Sequence, residues 1–124
     1  RHLVNATQSR LDVETRLVAT DHRIALPDEV HYALYRIAQE ALNNATKHSR
    51  AKQIDVYFES EDDHLSLRIK DNGEGFDMSK ANGGMGLSSM RERAAAIGAD
   101  LKVTSEPGQG TQLQLEWSSP LLPG

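Results

Sequence analysis

The sequence predicts an α+β two-layer sandwich, in which a mixed, mainly antiparallel sheet is covered by helices on one face. Three observations predict it. Apolar residues recur at spacings of three and four from Val30 to Ala45, which marks a long amphipathic helix. After it come four short segments that alternate apolar and polar residues, in two pairs joined by turn-forming residues. Between those pairs, Leu87, Met90, Ala94 and Ile97 restore helical spacing. Hairpins need no crossover, so the order does not describe a doubly wound sheet.

Taken in order, residues 1–10 read as the end of a helix or the edge of the fragment, residues 11–117 as the folded domain, and residues 118–124 as a tail with two prolines. Leu11–Ala19 alternates loosely through Leu11, Val13, Thr15 and Leu17, as a strand does. Pro27, Asp28 and Glu29 suit a helix opening, because negative charge is favourable at the positive end of the dipole. The helix they open spans Asp28–His48, with Val30, Leu34, Ile37, Ala38, Ala41, Leu42 and Ala45 on its apolar side. Ile54, Val56 and Phe58 form one strand and Leu65, Leu67 and Ile69 the next, with Glu61–His64 as the acidic turn between them. Asp71–Gly75 breaks the second strand. A helix over Leu87–Ile97 stops at Gly98. Leu101–Thr104 and Thr111–Trp117 are the last two strands, joined by a turn at Pro107–Gly110.

A chain of 124 residues suits a single domain. Its 18 acidic and 14 basic side chains leave a net charge of −4, which argues against nonspecific nucleic-acid binding. The same sign means that an anionic ligand must be held by local donors and a metal ion. No apolar run approaches the roughly 18 residues of a membrane span, so no membrane contact by this fragment is expected. The absence of cysteine removes disulfides, thiolate metal ligands and thiol nucleophiles, and a cytoplasmic location is favoured.

Eight of the nine glycines fall between Gly73 and Gly110, and six form the close pairs Gly73/Gly75, Gly84/Gly86 and Gly108/Gly110. One pair would be ordinary turn chemistry; three at the edges of strands and helices are better explained by one shared ligand pocket. In Asp71-Asn72-Gly73-Glu74-Gly75 the strand delivers a carboxylate that can accept from an exocyclic amine, while Gly75 leaves room for a flat ring. By itself this segment also reads as an Asn-Gly turn. Gly83-Gly84-Met85-Gly86-Leu87 precedes a helix whose free amides can hold phosphate oxygens, although a plain linker would look the same. Gly108-Gln109-Gly110-Thr111 adds a hydroxyl at the base of the pocket.

On the long helix Glu40, Asn44 and Lys47 lie at i, i+4 and i+7 and share a face. The set fits a metal-bound phosphate: a carboxamide oxygen for Mg²⁺, an ammonium for phosphate and a carboxylate for water or base chemistry. A solvated face with a Glu–Lys pair is the plainer reading of the same spacing.

Together these segments resemble the ATP-binding domain shared by sensor histidine kinases, gyrase, the Hsp90 chaperones and MutL, the Bergerat fold. Tyr35–His48 is similar to that family's asparagine box, and Asp71–Gly75, Gly84–Leu87 and Gly108–Thr111 are similar to its three glycine boxes. Gln39-Glu40-Ala41 and Met90-Arg91-Glu92-Arg93-Ala94 most resemble kinases that pair with LuxR/NarL-type response regulators. The resemblance spans about residues 11–117 and implies an ATP-binding catalytic domain over them.

The resemblance implies that Asn44 coordinates Mg²⁺ and Lys47 touches a phosphate. It implies that Asp71 accepts from the adenine amine, that Gly73 and Gly75 border the base, and that Thr111 supports it directly or through water. Gly84, Gly86 and Leu87 would end the lid over the phosphates, and Lys80 is the one cation in the short segment Phe76–Gly83. Glu40 falls where hydrolytic members place a water-activating carboxylate; in a kinase it would polarise the incoming histidine. The implied function is transfer of the γ-phosphoryl of Mg·ATP to a histidine on a separate dimerisation domain, and from there to a response regulator. The alternatives are a hydrolysing ATPase or anti-sigma-type serine kinase of the same fold, or a noncatalytic nucleotide-binding module. None of His2, His22, His31, His48 or His64 is followed by the acidic residue of the subgroup's phosphoacceptor, so all five read as structural or surface residues.

Overall fold

The computed structural model describes residues 14–19, 26–47, 50–61, 63–77 and 86–119. The expectations for residues 1–13, His48, Lys80, Gly83 to Met85 and the end of the tail lie outside these residues. The elements run β1 (Glu14–Ala19), α1 (Asp28–Lys47), β2 (Gln53–Glu61), β3 (His64–Asp71), α2 (Leu87–Ala96), β4 (Asp100–Glu106) and β5 (Gly110–Ser118).

The strands form one sheet in the order β1-β2-β3-β5-β4. β2 with β3 and β4 with β5 are antiparallel hairpins, and β3 with β5 is antiparallel as well. β1 differs: it pairs parallel with β2, Leu17 opposite Val56. This one pair makes the sheet mixed, mainly antiparallel, as expected, and α1 is the crossover that carries the chain back along the sheet between the two parallel strands. The first hairpin is also tighter than expected, because Glu61 and His64 pair across the strands instead of lying in the turn.

Both helices cover the same face. Along β3 the residues Leu65, Leu67, Ile69 and Asp71 are buried, and on β5 Leu113, Leu115 and Trp117 are. Against them pack Val30, Leu34, Ile37 and Leu42 of α1 and Leu87, Met90 and Ala94 of α2. α1 has 20 residues, and most of a protein helix's stability comes from packing its amphipathic face. Each fully buried Ile, Leu or Met side chain contributes about 1.5–3 kcal/mol, so packing holds the helix more than its intrinsic propensity does. The opposite sheet face is polar, with Arg68 stacked 4.4 Å over the Tyr57 ring. There His64 bridges Ser118 at 2.9 Å and Glu116 at 3.1 Å.

The C-terminus of α2 is firmly set. Gly98 has φ +70°, its amide donates to Ala95, and the Ala99 amide donates to Ala94. This reverse-turn stop satisfies the last carbonyls of the helix. The Trp117 indole N–H donates to the Ile97 carbonyl at 3.0 Å and ties that end to β5.

Candidate functional site

Asp71 is the last residue of β3, and strand alternation sends its side chain to the core face beside Ile69. It lies directly across from Thr111 on β5 and from Ile54 on β2. Its carboxylate is only 6% exposed and accepts the Gly73 amide at 2.8 Å. Here the two layers part around a cavity lined by Ala41, Asn44, Asp71, Phe76, Leu87 and Thr111. Ile69, Met90, Val103 and Leu113 complete its apolar wall. Apolar walls with a few convergent polar groups are the usual makeup of a small-molecule site.

α1 does not present its three polar residues alike. Asn44 is 7% exposed and faces the cavity one turn after Ala41, in place of the solvated face that its spacing with Lys47 predicts. The reason is that the apolar arc of α1 is wide, and Asn44 falls within it, between the buried Ile37 and Ala33 around the helix axis. Lys47 is exposed in the last turn, and Glu40 is half-buried. The Glu40 carboxylate reaches Gly86, the residue that opens α2. Its N-cap is a glycine, which has no side chain to cap it with, and its first turn carries no acid of its own. With the Glu40 carboxylate turned aside, its amides offer donors suited to phosphate.

The glycines serve different ends. A β-carbon on Gly75 would overlap the Glu106 carbonyl oxygen, so the missing side chain admits the β4–β5 hairpin backbone. Gly110 is the counterpart: a β-carbon there would overlap the Asp71 carbonyl oxygen. The Gly108 amide also donates to Glu74, so the first and third glycine segments are bonded to each other. Gly108 itself has open space around it and is a turn residue. Leu87 is buried as the first residue of α2 and forms cavity wall. Gly84 and Lys80 lie outside the described residues.

Three participants were missed in the sequence reading. Ser105 on β4 is buried and bonds the Phe76 amide, the Gly110 carbonyl and the Thr111 hydroxyl. Its signal was a serine continuing the inward alternation of Leu101 and Val103. Phe76 is cavity wall, and Asn72 is structural, its Oδ1 accepting the Lys52 and Gln53 amides at the start of β2.

The comparisons with known proteins bear on this geometry. The profile of the histidine kinase-, DNA gyrase B- and HSP90-like ATPases matches residues 29–121, three-quarters of the chain. The chain belongs to this family. It corresponds to the family's ATP-binding catalytic module. The sensor protein VraS of Staphylococcus aureus (strain COL) is 40% identical over 92 residues, which is 73% of this chain and 26% of VraS. VraS of Staphylococcus epidermidis is 39% identical over the same length. The chain thus spans about a quarter of the curated relatives it matches. Among solved structures, the histidine kinase AdeS of Acinetobacter baumannii superposes with a TM-score of 0.76 at 18% identity, over 94% of this chain and 61% of that one. Full-length ShkA, solved in complex with AMPPNP, gives 0.74 at 20% identity over 98% of this chain and 30% of that one. At these identities the likeness establishes the fold, a histidine-kinase-type α/β sandwich.

The donor set fits a metal held jointly with a nucleotide. Among the described residues no group of three or more His, Cys, Asp or Glu could hold a metal ion unaided. Mg²⁺ commonly takes one or two protein oxygens and completes its shell with phosphates and water. Asn44, in the cavity wall one turn beyond Glu40, can supply such an oxygen.

Proposed function

We propose that this module binds Mg·ATP in the cavity between α1 and the sheet and donates the γ-phosphoryl to a histidine on a dimerisation domain of a longer sensor kinase. The observation that carries the reading is the buried Asp71 carboxylate, set in an apolar cavity across the strand pair from Thr111. It can accept from the exocyclic amine of adenine while the apolar walls sandwich the ring. Asn44 offers an oxygen to Mg²⁺, which when bound would neutralise phosphate charge. Lys47 and the amides opening α2 hold the phosphates, and Gly73 and Gly75 shape the rim beside the base. Glu40 polarises the incoming imidazole by accepting from its far nitrogen. The protein does little covalent work, and positioning with charge neutralisation carries the reaction.

The phosphoryl group then passes to a response regulator. The Gln39-Glu40-Ala41 and Met90–Ala94 segments support one of LuxR/NarL type. We place the domain in the cytoplasm; among the described residues no helix is long and apolar enough to cross a membrane.

Calorimetry with ATP and GTP tests the reading. The chain should prefer ATP, and Asp71→Asn should weaken ATP far more than it alters the melting temperature. Equal affinity for the two nucleotides, or an unchanged Asp71→Asn variant, would refute the adenine site.

A further inference from the structure

We infer that Ser105 is a positioning residue for base selection: it fixes the Thr111 hydroxyl as a hydrogen-bond acceptor toward the cavity, favouring a base edge that carries an amine over one that carries a carbonyl. The inference rests on the reading of the cavity as a nucleotide-base site.

Ser105 has three polar neighbours. The Phe76 amide lies 2.9 Å from its Oγ, the Gly110 carbonyl oxygen 3.1 Å and Thr111 Oγ1 2.8 Å. A serine hydroxyl has one proton and two lone pairs. The Phe76 amide can only donate, so it uses one lone pair. The Gly110 carbonyl can only accept, so it takes the proton. What remains for Thr111 is the second lone pair, and the Thr111 proton completes that contact. Thr111 thus turns its proton away from the cavity and shows it lone pairs.

Thr111 and Asp71 line the cavity as a directly opposed strand pair. An ionised carboxylate also only accepts. The site therefore offers two neighbouring acceptors to a base in direct contact with it. An exocyclic amine brings a proton for each. A carbonyl brings none and leaves acceptor facing acceptor in a buried place, the mismatch a polar site rejects most strongly.

The test compares ATP with inosine triphosphate, which replaces the amine by a carbonyl and turns N1 from an acceptor into an N–H donor, using calorimetry on the 124-residue chain. Ser105→Ala frees the Thr111 proton to point inward, and the preference for ATP should fall about three- to tenfold. In a Thr111→Val background Ser105→Ala should add nothing further. A ratio of two affinities does not depend on the folded fraction. If Ser105→Ala does not fold, Thr111→Val gives the sign: losing an acceptor lowers the preference for ATP, whereas losing a donor raises it. A raised preference, or an unchanged ratio in Ser105→Ala, overturns the inference and leaves the adenine site standing. A chain that binds no ATP overturns the site itself.

Discussion

Gly86 and Glu40 share one space: a β-carbon on Gly86 would overlap the Glu40 carboxylate. Gly86 has φ +68° and opens α2, so the start of one helix closes onto the side of the other at a residue without a side chain. Gly86→Ala carries a left-handed strain of about 1–3 kcal/mol as well as the collision. Truncation with Glu40→Ala removes the collision but not the strain. A double-mutant cycle in urea denaturation should therefore show a coupling of about 0.5–3 kcal/mol, with Glu40→Ala partly rescuing Gly86→Ala. Additive effects would mean that the two residues do not constrain each other.

The positive-φ glycines should rank by what surrounds them. Gly98 and Gly108 face open space, so alanine there adds backbone strain alone, about 1–2 kcal/mol. Gly75 and Gly110 meet backbone carbonyls that cannot move aside without breaking the hairpin. Alanine at either should cost more than at Gly98 or Gly108 in chemical denaturation. Similar losses at all four positions would remove the steric account of the first and third glycine segments.

Asn44→Ala tests the metal role. The variant should fold, with an intact far-ultraviolet spectrum, and should lose ATP affinity mainly when Mg²⁺ is present. Titrations with and without Mg²⁺ decide the matter: equal losses under both conditions make Asn44 a wall residue only.

The chain alone should not label itself with acid-labile phosphate from Mg·ATP. His31 is exposed in the first turn of α1, and His64 sits on the polar sheet face, away from the cavity. Label appearing only on an added dimerisation–acceptor fragment would support transfer in trans. Label on the isolated chain would end that reading.

Much of this architecture was legible because periodicity reports burial directly. The spacing of Val30, Leu34 and Ile37 located α1, and the alternation of Leu65, Leu67 and Ile69 located β3. The parallel pairing of β1 was not legible, since a crossover leaves no turn signature where the two strands meet. Asp71 and Thr111 stood out as polar residues at strand ends. Helical spacing puts Asn44 on one face with Glu40 and Lys47, but it cannot tell that the apolar arc is wide enough to take Asn44 into the cavity wall. The reason for glycine at position 75 depends on a carbonyl 31 residues further along, Glu106, and no local pattern encodes that.

β3 and β5 are each hydrogen-bonded on both sides, to β2 and β5 and to β3 and β4 respectively. Asp71 and Thr111 sit at adjoining ends of these two strands. Inner strands are commonly among the last parts of a domain to open, while helices covering only one face can loosen earlier. The half of the cavity that would read the base should therefore exchange its amides more slowly than the half contributed by α1 and α2. A ligand entering by transient lifting of the helical layer would meet a recognition surface already in place, and only that layer would have to be ordered around it.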